Sequence, residues 1–277
     1  MFLQHMKHLF FTLLTIILFS SCSEYQKALK NDDISKKYEL GISYYEQAQD
    51  GAKRPKAKYR KAIKLFEQIL PQYRGKPQGE KLAFVYANSY YELEDYFLSG
   101  YQFERFTKAY PDSDRVEEAA FKSARSYYEG SPRYSLDQAD TDKALDKLQL
   151  YFVTYPEGQF IEEANVMATE LGQKLEKKAY EIAKQYHHTE NYKPAIEAFD
   201  NYLVDYPGSS FREKAIFYKF ESAYLLAINS YDYLVEERLL VAKSYLDNYF
   251  KYYQEGELSE KANELKADIE ERLQEYS

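Results

Sequence analysis

The stretch Asn191–Ser210, NYKPAIEAFDNYLVDYPGSS, spells one amphipathic helix followed by a stop, and most of it recurs along the chain. Ala195, Phe199 and Tyr202 are spaced four and three apart, so they stack on one helical face. Pro207 and Gly208 then end the helix, because proline cannot donate to it and glycine tolerates the exit geometry. SGYQFERFTKAYPDSD (Ser99–Asp114) and KALDKLQLYFVTYPEGQ (Lys143–Gln159) repeat the order: a small residue, a large apolar one, an aromatic, then Tyr-Pro. A unit that recurs in this way dictates the architecture before any single residue is considered.

The expected fold is all-α. Gly and Pro number only 10 and 8 in 277 residues, and few windows alternate with period two. Hydrophobic content of 45% marks a chain that folds. The 31 tyrosines, beside no tryptophan, suit a repeat that packs Tyr at fixed positions and also shows some at a binding surface. The net charge is −8 and no consecutive basic block stands out, which argues against a nucleic-acid partner.

Met1–Ser21 has a secretory signal layout: Lys7 and His8, an apolar run Leu9–Phe19, then Ser20-Ser21 before Cys22. Eleven residues of helix rise about 16 Å, short of a bilayer core of about 30 Å. Cys22 is the only cysteine, which excludes an internal disulfide framework and a cysteine zinc site. It falls where cleavage is expected, and FSSC resembles a bacterial lipobox with Phe19 in place of the usual Leu. That resemblance implies acylation of Cys22, and two or more acyl chains (palmitate or similar) give a stable anchor. Residues 22–32 then read as a lipidated tether.

The repeat resembles the tetratricopeptide unit, ~34 residues of helix A, turn and helix B. In the second unit Ala87, Tyr90, Tyr96, Ser99, Phe103 and Pro111 take its positions 8, 11, 17, 20, 24 and 32; in the fourth, Ala183, Tyr186, Tyr192, Ala195, Phe199 and Pro207 do. The first unit, from near Asp33, has Gly41 and Tyr44, a longer loop at Asp50–Pro55, then Tyr59, Ala62, Phe66 and Ile69. The third has Ala124 and Tyr127, a loop at Glu129–Asp140, then Ala144, Leu148, Tyr151 and Pro156. Ile161–Lys178 is helical by pattern without a helix B and is expected to run into the next helix A. The fifth is looser, with Phe211–Asn229, Ala242, Leu246 and Tyr249, and its Tyr-Pro is replaced by Tyr252-Tyr253-Gln254. Insertions are expected in the A–B loops of the first, third and fifth units, and a polar helix Glu257–Tyr276 closes the array. The expectation is a superhelical stack of about five such helix pairs, with units one to three over residues 33–160 and units four and five, with the cap, over 161–277.

Five such units behind a lipoprotein signal, with Asp140-Thr141-Asp142 and Tyr155-Pro156-Glu157-Gly158-Gln159-Phe160 in the irregular third one, resemble the BamD family of the β-barrel assembly machine. Its aromatic richness and relaxed lipobox look like the Bacteroidetes branch. The resemblance implies a scaffold at the periplasmic face of the outer membrane. Its N-terminal units would receive the C-terminal signal of unfolded barrel proteins; its C-terminal units would dock the barrel-forming subunit. Other readings are another periplasmic adaptor lipoprotein, for cell division or envelope maintenance, and a nutrient-binding helical lipoprotein.

Helix-A positions 5, 9 and 12 are expected to face a groove. They are Tyr38, Ile42 and Tyr45 in the first unit, Phe84, Asn88 and Tyr91 in the second, and Phe121, Arg125 and Tyr128 in the third. Rings would take aromatic side chains, Asn88 backbone groups and Arg125 a terminal carboxylate. Tyr180, Lys184 and His187 are the matching positions of the fourth unit and candidates for docking the barrel-forming subunit. No glycine-rich phosphate loop or Gly-x-Ser-x-Gly is present, and His187-His188 lacks metal spacing, so no enzyme, metal or other cofactor is expected.

Overall fold

The computed structural model describes residues 24–276, and within them the fold is all-α, with twelve helices and no strand. These are α1 (Glu24–Lys30), α2 (Ile34–Gln49), α3 (Pro55–Tyr73), α4 (Gly79–Glu92), α5 (Tyr96–Ala109), α6 (Val116–Gly130), α7 (Ala139–Thr154), α8 (Ile161–His188), α9 (Tyr192–Asp205), α10 (Arg212–Ile228), α11 (Asp232–Tyr252) and α12 (Ser259–Gln274). Pairs α2/α3, α4/α5 and α6/α7 are the first three repeats. The second half of α8 with α9 is the fourth, α10/α11 the fifth, and α12 packs on α11. The signal segment and Cys22 lie outside the described residues.

Local chemistry sets the boundaries. Asp33 caps α2 by accepting from the Lys36 N–H at 3.1 Å, and Asp95 caps α5 through the Leu98 N–H at 3.2 Å. Pro55 opens α3, where no intrahelical donor is needed. The A–B turns of the second and fourth repeats each put one glutamate at the same repeat position in the left-handed region, Glu94 at φ 64° and Glu190 at φ 60°. That conformation costs a side-chain-bearing residue about 1 kcal/mol. Glu94→Gly is therefore expected to stabilise the protein by about 0.5 kcal/mol in a thermal melt, since the strain relieved exceeds the exposed Lys56–Glu94 pair lost. Glu94→Ala, which loses the pair and keeps the strain, is expected to lower the melting point.

The Tyr-Pro signature has a structural meaning. The closing tyrosine of each turn packs on the aromatic four residues earlier in helix B. Phe106–Tyr110, Tyr151–Tyr155, Tyr202–Tyr206 and Tyr249–Tyr253 have centroids 5.3, 5.4, 5.3 and 5.7 Å apart. The fifth repeat keeps the contact through Tyr253 although its proline is gone. In repeats two to five a glutamate near the start of the helix-A segment holds the same turn. Glu117 accepts from Tyr151 Oη at 2.9 Å and from the Gln159 N–H at 2.7 Å. Glu176 accepts from Ser209 Oγ at 2.5 Å, Glu213 from Tyr249 Oη at 2.9 Å, and Glu80 from Ser113 Oγ at 2.6 Å. Buried Tyr151, Tyr202 and Tyr249 thus have partners for their hydroxyls, which is how a core can hold so many tyrosines.

Three sequence expectations need correction. Within the tether expected over residues 22–32, Glu24–Lys30 do not hang loose: as α1 they pack on α2 and α3, with Tyr25 edge-on to Tyr44 at 5.8 Å. The fifth repeat carries no loop insertion; only Asn229–Tyr231 separate α10 from α11, and the extra length is in the helices, of 17 and 21 residues. The chain forms two compact units, one comprising the described residues through Ser131 plus Ala139–Ala168, the other Pro132–Gln138 plus Thr169 onward. The division falls inside α8, between Ala168 and Thr169.

Candidate functional site

Position 5 of the second, third and fourth repeats does not face a groove. Phe84 and Phe121 are 1% and 3% exposed and belong to the core. The residue leading into the next helix A covers each: the Arg115 guanidinium lies 3.2 Å over the Phe84 ring, and Phe160 stacks on Phe121 at 4.4 Å and 7°. Tyr180 of the fourth repeat, in the second compact unit, is buried under Phe211 in the same way, at 4.7 Å and 14°. Tyr38 stacks on Tyr73 at 5.1 Å and keeps one edge in solvent. Ile42 is also buried, in the cluster of Phe66 and Ile69. Ile42, Phe84 and Phe121 are therefore packing residues and offer no binding surface. Spacing places them on the right helices but cannot see the lead-in residue that closes over position 5.

Tyr45, Asn88 and Lys122 build a polar ladder in the first compact unit. Asn88 is buried and fully engaged: its Nδ2 donates to Tyr45 Oη at 2.9 Å, and its Oδ1 accepts from Lys122 Nζ at 2.6 Å. It ties α2, α4 and α6 together and is not a free anchor for a peptide backbone. Lys122, a residue the spacing argument missed, is three-quarters covered and also pairs with Glu118 at 3.5 Å. Burial pulls its ammonium below the ordinary lysine range despite Glu118. Arg125 stays partly open. Its Nη1 pairs with Glu163 at 2.8 Å, while its buried Nε has no hydrogen-bond acceptor and sits 3.8 Å from Glu129. Tyr91 lies against the guanidinium at 6.0 Å, and Tyr91 and Tyr128 are half-buried. The accessible part of the predicted groove is thus Tyr91, Arg125 and Tyr128, with the edges of Tyr38 and Tyr45.

In the second unit His187 is likewise internal, 9% exposed. Ser222 Oγ donates to the Tyr218 carbonyl at 2.6 Å, so His187 Nδ1 donates to Ser222 Oγ, at 2.9 Å. Its Nε2 lies 3.3 Å from Glu221. Tyr180 and His187 are therefore not docking residues; both are consumed by packing between repeats. Lys184 remains half-exposed beside Tyr180, at the rim of a cleft shared with Tyr134 and Lys178, which donates to the Leu136 carbonyl at 2.6 Å.

These surfaces combine rings, partly exposed cations and ion pairs. Among the described residues, no helix is long and apolar enough to cross a membrane. The chain matches a family model, YfiO, described as an outer membrane lipoprotein, over residues 42–239. No curated protein matches it.

Proposed function

Since this chain belongs to the YfiO family of outer membrane lipoproteins, we propose that it is a lipid-anchored periplasmic scaffold for the assembly of β-barrel proteins into that membrane. The match over residues 42–239 carries the reading, because it runs from the first repeat into the fifth. The signal layout ending at Cys22 supports acylation there and an address outside the cytoplasm. The protein acts by holding others, not by catalysis. Its first unit receives the C-terminal segment of unfolded barrel proteins on Tyr91, Arg125 and Tyr128. A terminal carboxylate displaces Glu163 from Arg125 and uses its unsatisfied Nε. The second unit docks the barrel-forming subunit on exposed residues around Lys184.

Affinity purification of the protein from its native envelope, followed by mass spectrometry, is expected to recover the barrel-forming subunit. Its consistent absence overturns the reading. Arg125→Ala and Tyr91→Ala are each expected to weaken binding of a peptide from a barrel-protein C-terminus about tenfold. The melting temperature of the Arg125→Ala protein should hardly move, because the Arg125 pairs are partly exposed.

A further inference from the structure

Charge is distributed very unevenly along this acidic chain. Lys53–Lys76 holds nine basic residues and one acid, Glu67, a charge of +8, so the remainder carries −16. The cations are interleaved with other residues, which is why no block stands out in the sequence. Most of this segment is α3. Lys56, Arg60 and Lys64 form a stripe at four-residue spacing on its exposed side, and Arg74, just beyond its end, is exposed too. Of the nine, only Lys56 has an acidic partner among the described residues, Glu94 at 2.7 Å.

The stripe continues onto α5. A cleft of about 320 Å³ is lined by Pro71 and Arg74 on one side and by Arg105 and Ala109 on the other. Above Arg105 and exposed Lys108, the same face of α5 shows Tyr101 and Phe97, 47% and 69% exposed. Arg105 lies 5.8 Å over the Tyr101 ring. Unpaired cations beside an exposed Phe and Tyr are the composition of a surface that rests at a lipid headgroup layer.

The position of the chain's start points the same way. Lys61 Nζ on α3 sits 5.1 Å over the ring of Tyr25, three residues after Cys22. Three residues of chain reach about 10 Å at most. Acyl chains on Cys22 would enter the bilayer beside α3.

We propose that the outer faces of α3 and α5 form a docking surface for the anionic phospholipid headgroups of a bilayer, a second membrane contact besides the acyl anchor. The geometric argument rests on the lipid-anchor reading above, but the test does not need the acyl chains. The mature protein with Cys22→Ser is incubated with vesicles rich in phosphatidylglycerol or made of phosphatidylcholine alone, and binding is read by co-sedimentation. Binding is expected only to the anionic vesicles and is expected to fade as salt rises. A variant with Arg60, Lys64, Arg74, Arg105 and Lys108 all changed to Gln is expected to bind at least about tenfold more weakly, with an unchanged circular-dichroism melt. Equal binding to both vesicle types, or by the variant, overturns the proposal. So does a salt-sensitive dimer in sedimentation velocity that the variant abolishes, which would give the basic face to an acidic second copy. So does preference for a DNA oligonucleotide over the anionic vesicles. The mass of the native mature N-terminus tests acylation of Cys22 separately, so the two readings can fail independently.

Discussion

Gly41→Val is expected to destabilise the first repeat by about 3 kcal/mol, and Gly41→Ala by about 1–2 kcal/mol. A Cβ built at Gly41 would lie 2.4 Å from Cε1 and 2.9 Å from Cδ1 of Phe66, far inside contact distance. Phe66 is fully buried among Ile42, Ala62, Ile63 and Ile69, so its ring has nowhere to go. Alanine is worth up to about 1 kcal/mol over glycine within a helix, too little to offset that overlap. The second and fourth repeats carry alanine at this position, Ala87 and Ala183; α2 and α3 have instead closed to the spacing that glycine permits. Gly41→Ala combined with Phe66→Leu is expected to cost less than the sum of the two single changes. Gly172→Ala in α8, where an added Cβ meets nothing within 4 Å, is expected to stabilise by about 0.5–1 kcal/mol. Thermal melts, with hydrogen exchange of α2 and α3 to localise the loss, check all four. A Gly41→Ala protein as stable as the parent would mean that the pair can open at no cost.

The same contrast shows how much could be read from the residues alone. Spacing of small, large and aromatic residues placed the helix pairs, and even the continuous α8, because helical packing repeats with a local period. It could not rank residues on the inner side of helix A. Phe84, Phe121 and Tyr180 carry the right offset for a groove, yet Arg115, Phe160 and Phe211 close over them. Those covering residues come from 31 to 39 positions later and belong to no repeat position that the motif names. The glutamate near the start of the helix-A segment in repeats two to five is hidden from the sequence pattern for a related reason. Glu80, Glu117 and Glu213 look like ordinary first-turn acids and Glu176 like a surface acid within α8, and only the returning turn gives them tyrosine, serine and backbone partners. Asn88 and Arg125 were both read as peptide anchors. Their difference, one consumed by Tyr45 and Lys122 and the other holding a replaceable pair, depends on neighbours 34 to 43 residues away.

Glu221→Gln is expected to cost the second compact unit about 2 kcal/mol near neutral pH, and that cost is expected to shrink away in acid. Glu221 is 7% exposed, and its carboxylate accepts from Lys261 at 2.6 Å and faces His187 at 3.3 Å. Burial alone would raise its pKa, but the bonds to His187 and Lys261 outweigh it and hold the carboxyl below the ordinary 4.5. A carboxyl depressed on folding stabilises fully above its unfolded value and loses that contribution as the pH falls through the lower folded one. The stabilisation is therefore complete above about pH 5 and disappears in acid below 4.5. The cost of removing the charge stays below that of breaking a fully buried pair, because Lys261 is half-exposed and can return to water. Melting curves of the parent and Glu221→Gln should differ at neutral pH and converge in acid. A constant gap at every pH would assign the loss to shape rather than charge, and the depressed carboxyl would then have no part in holding α8, α10 and α12 together.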